Sequence, residues 1–275
     1  MPSSTTNGNK TPPTTTTPTI PNPTTTPTSD AVATMSLADV MHALDLHHAA
    51  GELDTRSQKA IARNESPLSL IDALMREELS VQLEARAKAA LRRSLIFPLT
   101  SLDAYDFDYP KTIDKDVVMR AASLDFVKER TNVVFVGPSG VGKTHLANAL
   151  GHLACLRGHR TRFVLAADLV NDLVAAQAKN GLHRRLNAYA APELLIIDEL
   201  GYLSFDARGA DLLYQVFNRR YQRASTVVTT NLAFKDWGKL FHNSAAASAI
   251  ADRLVHKGLL VRITGKSRRS DQEVE

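Results

Sequence analysis

The chain has 275 residues, 44% of them apolar, and a formal net charge of +4 at pH 7. That length holds one large domain, or a medium domain with an appendage, and the apolar share suffices for a sizeable core. A single cysteine, Cys155, excludes an internal disulfide and a cysteine-rich zinc site, and on a helix it reads as packing. No apolar run approaches the roughly 18 residues a spanning helix needs, and the first residues lack the basic and apolar blocks of a secretory leader. The expectation is a cytoplasmic protein with no membrane contact, whose mild positive charge permits a nucleic-acid partner without demanding one.

Residues 1–34 are dominated by Thr and Pro, with seven of the twelve prolines in the first 27 positions. Such a segment has almost nothing to bury and is expected to be disordered. Met35 stands where ordinary sequence begins, so the tail is either dispensable or the product of a start assigned too early. Residues 35–100 read as a small all-helical N-terminal domain. Ser36 and Asp39 match a capping box, and Leu37, Val40, Met41 and Leu44 then recur at helical spacing. A second helix opens at Ser66-Pro67, with Pro at the first helical position, and runs to about Leu95. Its basic cluster from Arg86 to Arg93 is either a solvated face or a DNA contact. Phe97-Pro98 ends the helix, and Asp103 to Pro110 form an acidic, aromatic connector. Asp114 to Arg130 reads as one helix capped by Asp114.

Next comes the octapeptide Gly137-Pro138-Ser139-Gly140-Val141-Gly142-Lys143-Thr144, which fits G-x-x-x-x-G-K-[ST] at every fixed position. A short apolar strand, Asn132 to Val136, precedes it, and a helix from His145 to Leu156 follows. Strand, Gly-rich loop and helix together make a phosphate site, because glycines let backbone N–H groups and a helix N-terminus close round an anion. Lys143 would reach the β- and γ-phosphates, and the Thr144 hydroxyl would bind Mg²⁺. An aromatic of the upstream connector either stacks on the nucleotide base or plugs a core. The nucleotide-binding set is residues 137–144 with His145.

Beyond the loop, short apolar strands alternate with helices. The strands are expected at Thr161–Leu165, Leu194–Ile197, Ser225–Thr230 and Leu259–Ile263, with helices over Ala167–Lys179 and Leu212–Gln222. Strands buried on both faces and separated by helices imply a parallel sheet, hence an α/β P-loop nucleotide-binding fold over residues 101–270. Asp198 closes an apolar strand at the carboxyl edge of that sheet, where it can hold the metal with Thr144. The adjacent Glu199 can deprotonate a water for attack on the γ-phosphate, which favours hydrolysis over transfer to an acceptor hydroxyl. Asn231 ends the next strand at the same edge, where its amide either bonds the water or γ-phosphate or simply starts a turn.

These segments resemble a family. The phosphate loop, Asp198-Glu199 and Thr229-Thr230-Asn231 are similar to the AAA+ ATPases. Gly140 to Ala147, Leu195 to Tyr202, Ala251-Asp252-Arg253-Leu254 and Gly265-Lys266-Ser267 resemble more closely the IstB-like transposition helpers, relatives of the DnaC helicase loaders. The resemblance spans roughly residues 36–270. It implies an ATP- and Mg²⁺-dependent ATPase that lacks a C-terminal helical lid, assembles as a homo-oligomer on double-stranded DNA and recruits a partner transposase. It also implies that Arg253 reaches a neighbouring subunit's γ-phosphate. The family's Tyr after Gly-x-Ser is Arg268 here, with Arg269 next, so which of the two approaches nucleotide stays open. Candidate DNA contacts are Arg157, Arg160, Lys179, His183, Arg184 and Arg185, with binding expected to be largely sequence-independent. Alternatives are a replicative helicase loader and an ATP-switched scaffold whose hydrolysis only resets it.

Overall fold

The computed structural model describes residues 32–108, 112–202, 204–241, 244–265 and 267. Most of the expected disordered tail lies outside these residues, as do Tyr109 and Pro110 of the connector and Lys266, Arg268 and Arg269. The chain divides into two compact units, Met1–Glu78 and Leu79–Glu275.

In the first unit α1 spans Leu37–Ala43, and the Ser36 hydroxyl caps it by accepting from the Asp39 N–H at 3.1 Å. Met41 is buried, but Leu37 and Leu44 are exposed, so only part of the expected apolar face is covered. Helix α2, His47–Ala62, went unanticipated. Its start has no local capping side chain; instead the buried carboxylate of Glu78 accepts from the Ala49 N–H at 2.8 Å. An acid beside a helix N-terminus satisfies an orphan donor and complements the dipole, and one supplied 29 residues downstream leaves no local signal. Helix α3, Pro67–Ser94, starts after Ser66, whose hydroxyl accepts from the Ser69 N–H at 3.1 Å. Met41, Ala49, Ala50 and Leu74 form the small core of this unit.

The second unit is built on a six-stranded sheet. In chain order come β1 (Thr112–Ile113), α4 (Lys115–Ala122), α5 (Asp125–Lys128), β2 (Val133–Val136), α6 (Lys143–Leu156), β3 (Thr161–Leu165), α7 (Ala166–Ala178), α8 (Leu182–Ala190) and β4 (Leu194–Leu200). Then follow α9 (Ala207–Arg220), β5 (Ser225–Thr230), a 3₁₀ turn (Phe234–Asp236), α10 (Trp237–Phe241), α11 (Ser244–Val255) and β6 (Leu259–Thr264). Strand order is β1-β6-β2-β5-β4-β3. The five strands from β6 to β3 are parallel, as expected, whereas β1 pairs antiparallel with β6, Thr112 opposite Thr264. Two residues carry too little periodicity to announce a strand.

The expected helix over 114–130 is two helices. Asp114 does cap the first, accepting from the Val117 N–H at 3.1 Å, but Leu124 is left-handed at φ 62° and fully buried, so the chain breaks there to seat its side chain. Alternate residues of β2 face opposite sides, as a pleated strand dictates. Val133 and Phe135 join α4–α6 on one face, while Val134 joins α7–α11 on the other. Leu194 to Ile197 of β4 are wholly buried, each contributing about 1.5–3 kcal/mol relative to exposure. Phe135→Ala in this core would cost about 3–5 kcal/mol.

At the sheet edge where the parallel strands begin, buried Arg220 closes the structure, with no carboxylate partner among the described residues. Its guanidinium donates to the carbonyls of Tyr189 (3.0 Å), Ala190 (3.2 Å) and Pro192 (2.8 Å), to that of Ser225, and to the Thr226 hydroxyl (3.1 Å). It ties the C-terminus of α8, whose dipole favours a cation, to the start of β5.

Candidate nucleotide site

The phosphate loop leaves the carboxyl end of β2 and is pinned to β5 by a bond from the Gly137 N–H to the Thr230 carbonyl at 3.1 Å. Gly140 and Gly142 both have positive φ, 79° and 91°. A Cβ on Gly142 would fall 2.7 Å from the Tyr105 ring, and one on Gly140 would strike Ser267. The loop therefore needs glycine for its conformation and for close packing at once. Val141 is buried beneath it, and the Lys143 ammonium folds back to donate to the Pro138 carbonyl at 2.6 Å. A cation curled into a cradle of backbone donors is the arrangement that receives phosphate oxygens.

Asp198 faces this loop. It is 2% exposed, and its Oδ1 accepts from the Thr144 hydroxyl at 3.1 Å and from the Thr229 hydroxyl. Thr229 in turn accepts the Glu199 N–H at 3.0 Å. In sequence Thr229 stands out only as part of Thr229-Thr230-Asn231, because Ser225, Thr226 and Thr230 of the same buried strand are polar too. Glu199 is left-handed, φ 59°, where β4 shifts register between Ile197 and Leu200. This bulge turns Glu199 out to solvent while Asp198 stays buried. Non-glycine residues held in that region persist where the surroundings enforce them, commonly at functional sites. Asn231 also reaches this edge, and among the described residues its buried Oδ1 has no hydrogen-bond partner. An orphaned buried acceptor beside a phosphate cradle suits a ligand-contacting group.

The residues fit a magnesium-bound nucleotide. Mg²⁺ is ordinarily held by one or two protein oxygens together with phosphates and waters, which Thr144 and Asp198 match. Among the described residues no cluster of three or more His, Cys, Asp or Glu forms a closed metal cage.

Of the connector's aromatics, Tyr105 is a core residue. Tyr105 is buried, donates from its hydroxyl to the Val141 carbonyl at 3.2 Å, and packs edge-on against Phe107. His145 directs its ring to the Ser101 carbonyl, 3.2 Å away. Unanticipated, the Tyr202 hydroxyl lies 2.6 Å from that of Ser139 in the loop. Cys155 is buried in the core, and burial pushes its thiol pKa up.

Arg253 is not at this edge. Its carbonyl accepts from the Asn132 side chain at 3.1 Å, and Asn132 immediately precedes β2. Arg253 thus sits where the parallel strands begin, about 13 Å of strand away from the loop. Its guanidinium donates to the Tyr214 hydroxyl at 3.0 Å and stacks on that ring. It lines a cleft of about 470 Å³ with Lys128, Arg130, His256 and Lys257. Of the candidate DNA contacts, Arg160 pairs with Glu193 and Arg185 with Asp172, each at 3.2 Å. Arg157 is bonded to the Ser123 carbonyl and His183 lies 3.5 Å from Asn187, while Lys179 and Arg184 are exposed.

Among the described residues no helix is long and apolar enough to cross a membrane. The chain is 34% identical over 229 residues to a Geobacillus stearothermophilus protein named as the ATP-binding protein of insertion sequence IS5376, covering 83% of this chain and 91% of that one. It is 33% identical over 230 residues to the Pseudomonas aeruginosa protein named likewise for IS21, covering 84% and 87%. Among solved structures, AMPPCP-bound DnaA from Aquifex aeolicus matches with TM-score 0.52 and 23% identity, over 62% of this chain and about half (51%) of that one. The DnaC helicase loader matches with TM-score 0.50 and 23% identity, over 60% and 96%. These two likenesses establish the fold, that of the AAA+ P-loop proteins. A family model described as IstB-like ATP binding protein matches residues 39–275, and the chain belongs to that family.

Proposed function

We propose that this protein is a magnesium-dependent ATPase that helps an insertion sequence to move, assembling on duplex DNA and recruiting a partner transposase. The observation that carries the reading is a split: Lys143, Thr144, Asp198, Glu199 and Asn231 converge on one sheet edge, while Arg253 lies at the other. One copy therefore holds the nucleotide and a second supplies the guanidinium. The loop N–H groups and Lys143 bind the triphosphate, and Thr144 and Asp198 would hold the metal, which supplies charge neutralisation at the phosphates. Glu199 accepts a proton from water as its oxygen bonds to the γ-phosphorus. The bond from that phosphorus to the β–γ bridging oxygen breaks, leaving ADP and inorganic phosphate. Asn231 orients the water or the γ-phosphate, and Arg253 of an adjacent copy neutralises charge developing on the transferred group. The two relatives described above take their names from insertion sequences, which favours transposition over helicase loading.

The test is complementation. Lys143→Ala, which loses its own nucleotide site, and Arg253→Ala, which keeps that site but loses the donated cation along with its contacts to Tyr214, should each be inactive alone. Mixed, they should recover ATPase activity, because some interfaces pair an intact loop with an intact arginine. No recovery, with both variants folded, rejects action between copies. A parent whose turnover ignores duplex DNA rejects the DNA-dependent part.

A further inference from the structure

A second basic cavity lies in the larger unit, apart from the nucleotide edge. Arg86 and Arg93 line it from α3, and Arg160 and Arg162 line it from the start of β3, in a space of about 400 Å³. Seven residues along a helix is close to two full turns, so Arg86 and Arg93 share a face. Two residues along a strand likewise put Arg160 and Arg162 on one side. The remaining lining is small, with Ala89, Gly158 and Pro192 among it, which leaves the space to the guanidinium groups.

Glu193 answers Arg160 at 3.2 Å, which leaves the like charges of Arg86, Arg93 and Arg162 to repel one another round the cavity unless a further anion answers them. Glu193 is shared between Arg160 and His159, and Asp172, which accepts from Tyr189, is paired with Arg185. The Arg162 guanidinium carbon lies 4.2 Å from the centre of the Tyr189 ring, and among the described residues its buried Nε has no hydrogen-bond partner. A guanidinium held over an aromatic face at the wall of a basic cavity suits a phosphate, which its planar donor fork recognises in bidentate fashion. We propose that this cavity is a phosphate-binding site for a nucleic-acid backbone. The inference rests on the duplex-DNA reading above and names where the duplex is held.

The test measures the affinity of the full chain for a random-sequence duplex of about 30 base pairs, with a non-hydrolysable ATP analogue, between about 50 and 200 mM salt. Arg86→Ala/Arg93→Ala sits on an exposed helix face and spares the Arg162–Tyr189 stack; Arg162→Ala is the second variant. Each phosphate contact removed should make the slope of log affinity against log salt shallower by about 1, with ATPase activity in the absence of DNA unchanged. Lys88→Ala/Arg92→Ala removes the same charge from α3 outside the cavity and should leave the slope at the parent value. A cavity variant that keeps the parent slope, or a control that loses as much as the cavity pair, overturns the site while leaving the DNA reading standing. A parent that binds no duplex overturns both.

Discussion

The Thr144 hydroxyl lies 3.1 Å from Oδ1 of Asp198, an oxygen that also accepts from Thr229. Thr144 and Thr229 thus share one buried acceptor at the mouth of the phosphate loop, on a residue 54 positions beyond Thr144. Asp198→Asn keeps the shape but weakens the metal ligand. Magnesium-dependent tightening of nucleotide binding should be lost and turnover should fall at least about tenfold, roughly 1.4 kcal/mol of barrier. Titration of a fluorescent ATP analogue with and without Mg²⁺ checks this; an unchanged metal dependence would remove Asp198 from the site.

Glu199→Gln separates binding from turnover. The Glu199 N–H to Thr229 bond is a main-chain contact and survives the change, so the bulge should persist. ATP affinity should stay within about threefold of the parent, while turnover drops by roughly 10²–10⁴, the usual contribution of a positioned base. Steady-state ATPase rates beside calorimetric binding decide it, and equal loss in both would mean that Glu199 holds the fold.

Arg220→Lys tests the closure at the opposite sheet edge. An ammonium cannot reproduce a planar fork that meets several carbonyls. Burial pushes the Arg220 pKa down to about 9, which the ring of carbonyl acceptors opposes. With buried acceptors left unpaired, each at about 1–3 kcal/mol, the larger unit should lose at least about 2 kcal/mol in urea unfolding. A loss under about 0.5 kcal/mol would show that water replaces the guanidinium.

Tyr189 gives a pH prediction. Burial, then donation to Asp172 at 2.8 Å, pushes its pKa up to about 12 from an ordinary value of 10. The folded state holds this proton more tightly than the unfolded chain. The associated stability is therefore fully present below pH 10 and is lost as pH rises through about 12. Tyr189→Phe should abolish that slope, on the order of 2 kcal/mol, in unfolding curves recorded across the window. An identical slope in the variant would place the titration elsewhere.

The parts of the fold legible in the sequence were those whose signal is local. β2, β4 and β5 are short apolar or β-branched runs that meet Gly, Asp-Glu or Asn, and each is found where the sequence places it, except that β4 continues through Asp198 and Glu199 to Leu200. α2 and α8 were not anticipated because neither is capped by its preceding residue, Leu46 or Gly181. The break at Leu124 was hidden because burial of a leucine, not a helix breaker, enforces it. The site was legible to the same degree. Lys143, Thr144, Asp198 and Glu199 follow from motif and strand, whereas the contacts of Thr229 and Tyr202 depend on which strands and loops lie side by side.

The position of Arg253 at the far end of the ladder from Lys143 has an arithmetic corollary. In an open row of n copies joined head to tail, only n − 1 catalytic centres are complete, because one terminal copy faces no donor. A closed ring of n copies has n. Turnover per subunit in the proposed assembly should therefore climb towards a plateau as the row lengthens, and the end of the row is marked by a nucleotide that is held but not spent.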